Sequence, residues 1–185
     1  DGLIDRLTIL DNHDMNRFLY LAGDDRRRLK AGARLIYTLA GNPINYYGTE
    51  AGVSQERPTH IGERGFFEEA RQPMLWDDDA DQELIAFFRR LVALRKAYPA
   101  LRRGVRKVVH LDAAAGTYAY LRQLESEKLG AAFNLSEDPQ TLQLDLPTVT
   151  HASNLLINDQ QVQIRHGMLH ISLEPISGAL LKLEE

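Results

Sequence analysis

The chain has 185 residues, a net charge of −4 and no cysteine. That length can bury a real core as one large domain or two small ones. The charge offers no basic field for nucleic acid, and disulfides and thiolate chemistry are excluded. No apolar run approaches the roughly 20 residues that span a bilayer, so no membrane partner is expected. Arginines at 26–28 and 102–106 read as solvated surface near helix ends. The composition fits the cytoplasm and leaves secretion open. The start, Asp1-Gly2-Leu3-Ile4-Asp5, shows neither an initiator methionine nor a signal peptide's charged and apolar regions; it reads as a piece cut from a longer polypeptide.

Residues 7–10 form a short aliphatic strand that ends in a polar knot, Asp11-Asn12-His13-Asp14-Met15-Asn16-Arg17. Asp24 or Asp25 can cap the helix that follows. In it Leu29, Ala33, Ile36 and Ala40 recur at helical spacing, and Leu35 and Leu39 widen the stripe. Gly41 is placed at C′ and Pro43 stops the helix. Residues 44–47 make a second strand, ending in Gly48-Thr49-Glu50. Two parallel strands joined through a helix cross over right-handedly, so His13/Asp14 and Gly48/Glu50 open onto one rim.

Residues 52–80 read as a long irregular loop with Pro58, Gly62, Gly65 and Pro73. A second helix spans 81–98, with Leu84, Phe87, Phe88, Leu91, Leu94 and Tyr98 on one side, Asp79 or Asp81 as cap, and Pro99 as stop. After Gly104 the period changes to two. Strands are expected at 105–109, 117–121, 130–134, 142–146, 154–157, 161–164, 168–173 and 179–183, with Asn-Asp, His-Gly and Ser-Gly turns. This is α/β followed by all-β, and the boundary divides 1–102 from 103–185.

No metal site is recognised. His166 and His170 lack a third ligand, and Asp77-Asp78-Asp79 lacks the glycine spacing of a calcium loop, so helix capping and solvation explain it. Tyr46, Tyr47 and Trp76 read as packing at the rim, whereas Phe66-Phe67 on the long loop is the better candidate for a platform on which a ligand ring could stack. Tyr118 and Tyr120 share a sheet face and pack inward, giving the tail a structural role against the 81–98 helix.

Asn12-His13-Asp14 after a strand, then Gly41-Asn42-Pro43-Ile44-Asn45-Tyr46-Tyr47-Gly48-Thr49-Glu50-Ala51-Gly52, then Gln72-Pro73-Met74-Leu75-Trp76 before a capped helix, resembles the α-amylase family of glycoside hydrolases. The look is closest to the cyclomaltodextrinase, maltogenic amylase and neopullulanase branch. The resemblance implies that 1–102 is the last two β/α units of a (β/α)8 TIM-type barrel and that 103–185 is a C-terminal antiparallel Greek-key β-sandwich. It implies that Asp14 is the third catalytic carboxylate, that His13 binds the same sugar, and that Arg17 lies near the neighbouring subsite. Asn12, Tyr47, Gly48 and Glu50 shape the rim. The implied partner is an α-glucan, no cofactor is required, and calcium remains possible in a full-length parent.

A retaining glycosidase also needs a nucleophile and an acid–base group, which the family draws from earlier strands. Gly104-Val105-Arg106-Lys107-Val108-Val109-His110 echoes the nucleophile motif, but Val108 stands where an aspartate is required. The chain alone is therefore expected to be inactive on starch, pullulan or cyclodextrin. The alternatives are a transglycosylase of the same family or a non-catalytic barrel relative that binds or assembles. A partial barrel exposes Leu7, Ile9, Ile44 and the inner helix faces, so self-association is expected.

Overall fold

The computed structural model describes residues 6–156 and 162–185. Strand β1 (Leu7–Thr8) leads through the short helix α1 (Phe18–Leu21) to helix α2 (Arg26–Thr38) and strand β2 (Asn42–Pro43). The two strands pair in parallel, Leu7 opposite Asn42 and Thr8 opposite Pro43. Amides of Asn42 and Ile44 extend the ladder to the carbonyls of Arg6 and Thr8. The second strand thus lies two residues before its expected position at 44–47. Residues 45–47 leave the ladder: the Tyr46 carbonyl accepts the Thr49 amide in a turn, and the Asn45 side chain donates through Nδ2 to Glu50.

Asp25 is the N-cap of α2, its carboxylate accepting the Arg27 amide at 2.8 Å. Leu29, Ala33 and Ile36 are buried as the spacing predicts, and so are Ala31, Arg34, Tyr37 and Thr38. The burial exceeds one stripe because α2 lies between two packing partners. Helix α2 closes at Thr38 with Leu39 as extended cap, so Gly41 stands one position beyond C′, where a φ of +105° swings the chain into β2.

The segment 52–80 is more ordered than its composition suggests. It holds a hairpin of β3 (His60–Ile61) and β4 (Arg64–Gly65), and 3-10 turns at Phe67–Arg71 and Asp77–Asp79. Asp81, not Asp79, caps α3 (Gln82–Ala97) by accepting the Leu84 amide at 2.9 Å. Pro99 ends α3 and also opens α4 (Pro99–Arg103) at a position where its missing N–H costs nothing. Leu19, Leu29, Ala33, Ile36, Tyr37, Leu84, Phe88 and Leu91 form one core between α2 and α3. Part of the helix surface is therefore covered where the two helices pack on each other, while Ile85 and Val92 of α3 stay half-buried along an open cleft. Leu7 at 65%, Ile9 and Ile44 remain exposed.

The tail holds β5 (Val105–Asp112), β6 (Thr117–Leu124), β7 (Glu127–Asn134), β8 (Gln140–Asp145), β9 (His151–Asn154), β10 (Val162–Arg165), β11 (Met168–Leu173) and β12 (Ser177–Glu184). They build a five-stranded sheet, β5-β6-β7-β12-β9, and a three-stranded one, β10-β11-β8, with antiparallel pairs throughout. Alternate residues of both sheets, among them Leu121, Leu144, Leu169, Ile171, Leu181 and Leu183, meet in one core. His166-Gly167 is a turn with both φ positive, as a tight hairpin requires. Ser177-Gly178 begins β12, and the turn falls at Pro175-Ile176 instead. The strand expected at 154–157 lies at 151–154; residue 157, the Asn158-Asp159 turn and Gln161 fall outside the described residues.

The opposite face of the larger sheet meets the helices. Tyr120, Leu129, Ala131, Phe133 and Leu180 pack with Leu94, Ala100 and Leu101, and Tyr118 joins them. Buried arginines lock this contact. Arg95 of α3 donates to the carbonyls of Tyr37 (2.7 Å), Leu39 (3.0 Å) and Leu101 (2.9 Å), and to that of Gly41. Arg122 of β6 donates to the carbonyls of Thr38 (3.1 Å) and Gly104 (2.9 Å). The Tyr120 hydroxyl and Thr38 Oγ1 lie 2.6 Å apart. Orphan carbonyls at the end of α2 are thus satisfied by cations from α3 and β6, where the helix dipole favours positive charge. Burial pulls Arg95 down to about 10 and pushes Tyr120 up to about 12.

Candidate functional site

The site grows from the carboxyl end of β1. Asp11 is buried and ties three segments together: one carboxylate oxygen accepts the Phe18 amide at 3.0 Å and the other the Thr49 hydroxyl at 2.7 Å. Asn12 turns the chain by accepting the Asp14 amide at 2.8 Å, a local side-chain bond that competes with regular structure. His13 and Asp14 then stand in solvent, 60% and 59% exposed, with His13 Nε2 3.1 Å from Asp14 Oδ2.

Arg71, at the end of the 67–71 turn, donates through Nη2 to Asp14 Oδ1 and through Nε to the His13 carbonyl, both at 3.3 Å. A third contact runs from Arg71 to Glu68, also at 3.3 Å. One guanidinium therefore brackets the two candidate sugar-binding residues. Arg71 had no signal in the sequence, because it falls just outside the Gln72–Trp76 motif, in a segment without periodicity.

Arg17 departs furthest from expectation. It is 0% exposed, so its guanidinium does not line a cleft. Nη1 donates to the Tyr47 carbonyl at 2.8 Å, and the Arg17 amide donates to Gln55 Oε1 at 2.5 Å. The guanidinium carbon lies 4.2 Å from the Tyr46 ring centre and 4.8 Å from that of Tyr47. Those rings meet edge to face at 4.6 Å, and Tyr46 lies 6.5 Å from the His13 ring. Burial first, then the Tyr47 hydroxyl beside it, raises the Tyr46 phenol above its ordinary range.

Gln55 is a second residue the sequence did not disclose. Its Nε2 reaches Asn16 Oδ1 (2.9 Å) and the Arg57 carbonyl (2.7 Å), and Asn16 Oδ1 also accepts the Thr59 amide (2.7 Å). The rim segment is thereby bound to the residues just after Asp14.

Gly48 turns with φ +81°, and a Cβ there would lie 2.5 Å from Val53 Cγ2. Tyr47 donates its hydroxyl to the Gln72 carbonyl at 2.8 Å. Glu50 accepts from the Asn45 amide at 2.5 Å. Glu50 and Asn45 also line a cleft of about 740 Å³ with Trp76, Gln82, Arg89 and Lys96; His13, Asp14 and Arg17 stand outside its wall. The two motifs share one rim through the Asp11–Thr49 and Arg17–Tyr47 bonds, but not one concavity.

Trp76 is 70% exposed and does not pack the rim. Phe66, expected as a platform, has Arg57 at 4.5 Å and Arg64 at 4.7 Å from its ring centre, and Phe67 meets His60 edge to face at 4.8 Å. Guanidinium groups occupy the surface a sugar would need on Phe66. Among the described residues no group of three or more His, Asp or Glu is placed to hold a metal ion.

Residues 4–82 match the family described as alpha amylase, catalytic domain. The chain is 34% identical to alpha-amylase 2 of Dictyoglomus thermophilum over 76% of its own length and 24% of that protein. It is 27% identical to neopullulanase 2 of Thermoactinomyces vulgaris over 94% of its own length and 28% of that protein. The crystal structure of an α-amylase from Geobacillus thermoleovorans, complexed with acarbose, superposes with a TM-score of 0.82 at 28% identity, covering 98% of this chain and 39% of that one. The chain thus spans about a quarter of the length of these curated relatives.

Proposed function

We propose, from the chain's membership of the α-amylase family of glycoside hydrolases, that it is the C-terminal part of a retaining enzyme acting on α-glucans. In this reading 1–102 supplies the last two β/α units of the barrel and 103–185 the sandwich that follows. The observation that carries it is the exposed His13–Asp14 pair at the carboxyl end of a parallel strand, bracketed by Arg71. That is the end of a β/α sheet where ligands are met.

A retaining glycosidase passes through an oxocarbenium-like transition state between a nucleophile and an acid–base carboxyl group. Asp14 acts as a third, ionised carboxylate: it stabilises the developing positive charge and holds ring hydroxyls as the sugar flattens. His13 donates to the same unit. Arg71 donates to Asp14 and biases the orientation of that solvent-exposed carboxylate. Nucleophile and acid come from polypeptide preceding these units, so the chain alone releases no sugar from starch, pullulan or cyclodextrin. Glu50, bonded to Asn45, and Gly48 shape the rim without taking part in bond breaking.

The test joins this chain to upstream β/α units that carry the two missing carboxyl groups. Asp14→Asn in that enzyme is expected to lower kcat by about 10²–10³, with unchanged circular dichroism. Turnover by the isolated chain, or an undiminished Asp14→Asn enzyme, would refute the reading.

A further inference from the structure

We infer that Arg17 is a positioning residue that never meets the sugar: it sets the Tyr46-Tyr47-Gly48 turn in register with the His13–Asp14 loop. The inference rests on the reading of His13 and Asp14 as the sugar-binding pair, and it assigns the arginine a role that its place in the motif does not suggest.

Three observations carry it. First, Arg17 is fully buried in the chain as it stands, and added polypeptide or ligand can only cover a side chain further. Second, its contacts run to the other motif: Nη1 donates to the Tyr47 carbonyl, and the guanidinium carbon lies 4.2 Å and 4.8 Å from the Tyr46 and Tyr47 ring centres. Tyr46 in turn borders the His13 ring. His13, Tyr46, Tyr47 and Arg17 thus form one contiguous cluster linking two loops that follow different strands, the tyrosines edge to face and the guanidinium carbon near both ring centres. Third, Nε and Nη2 of Arg17 are buried without a hydrogen-bond partner.

Unpaired buried donors cost stability. An apolar side chain of similar length, such as methionine, would fill the space without that cost. The cation returns part of it through the faces of two tyrosines, which a methionine does not. The guanidinium is therefore costly as core packing and well suited to fixing two aromatic rings and one carbonyl at once. A displaced Tyr46 would free the His13 ring, and an oriented sugar contact depends on positions held to well under 1 Å.

The experiment compares Arg17→Met and Arg17→Lys in the joined enzyme described above, using maltotriose and maltohexaose, and in the isolated chain by NMR of the His13 imidazole. The expected result is a roughly tenfold or greater fall in kcat/KM, equal for both substrates, with a shifted His13 resonance and preserved circular dichroism. A loss confined to maltohexaose would mean direct contact with a more distant sugar and would overturn the inference. So would an unchanged His13 resonance, or a lowered melting temperature with unchanged kcat/KM. Should Arg17→Met not fold, Arg17→Lys, which keeps the charge but loses the flat stacking surface, decides by the same readouts. If Asp14→Asn proves fully active while Arg17→Met shifts the His13 resonance, the reading of the site fails and the coupling of the two loops stands.

Discussion

The two halves of the molecule satisfy their backbones in opposite ways. In the tail, two sheets close over a shared core, and the strand ladder between β6, β7 and β12 is paired on both sides. In the first half, β1 and β2 form a two-stranded parallel sheet with open outer edges and exposed Leu7, Ile9 and Ile44. Parallel sheets normally have both faces covered. The difference teaches that the first half is held less by its own sheet than by helices α2 and α3, which lean on the larger sheet of the tail.

The largest effect should come from cutting into the shared core. Leu169, wholly buried between the sheets, is expected to cost about 2–5 kcal/mol as Leu169→Ala, and urea denaturation should show both halves failing together. The matched lesion Leu29→Ala, in the α2–α3 core, should instead remove helical signal first while amide resonances of the β10-β11-β8 sheet persist. Identical single transitions for both variants would show that the halves are not separable.

A smaller effect is expected at the lock. Arg122→Met leaves the Thr38 and Gly104 carbonyls without their donors, at about 1–3 kcal/mol for unsatisfied buried groups. Tyr120→Phe removes the hydroxyl beside Thr38 Oγ1. A double-mutant cycle should find the two coupled, since both hold the last residue of α2. Additive losses would mean that they act separately.

At the rim, Gly48→Ala should cost roughly 1–3 kcal/mol through its positive φ, with further crowding against Val53. Val53→Ala should restore part of this, measured by thermal melting; no restoration would place the whole effect in the backbone.

The smallest effect is electrostatic. At Asp25 the Arg27 hydrogen bond lowers the carboxyl below its ordinary range. At Asp81 desolvation is the largest influence and raises it, but the Leu84 amide and Arg26 outweigh it and the net direction is down. A depressed folded pKa means stability that is present above the unfolded value near 4 and lost as pH falls through the folded value. Melting temperature should therefore drop below about pH 4, and the drop should be shallower in Asp81→Asn, which keeps the cap oxygen but not the charge.

Much of the architecture was legible because it follows from period and punctuation. Leu29, Ala33 and Ile36 marked α2, Asp25 and Asp81 were among the named caps, and the tail strands announced themselves by alternation. The β2 register was not legible, since whether residues 45–47 extend a ladder or enter the Tyr46–Thr49 turn depends on tertiary neighbours. The hairpin at 60–65 is held by Thr59, Asn16 and paired arginines on Phe66 rather than by alternation. In the site, motif order pointed to His13 and Asp14, which stand together and exposed after β1. It gave no sign that Arg17 is buried, which two tyrosines about thirty residues away decide, and it passed over Asp11, Gln55 and Arg71, whose contacts arise only when distant loops meet.

The paired arginines at the end of α2 make the β-rich tail a mechanical anchor for the rim. Arg95 grips the Gly41 carbonyl, immediately before β2, while Arg122 grips Thr38 three residues earlier. Force applied at β6 is transmitted along four residues of backbone to the strand that delivers Tyr46, Tyr47 and Gly48. Substitutions on the larger sheet thus gain a route to the spacing of the rim, and screens for altered activity should include positions such as Tyr120 and Arg122 as well as those facing the cleft.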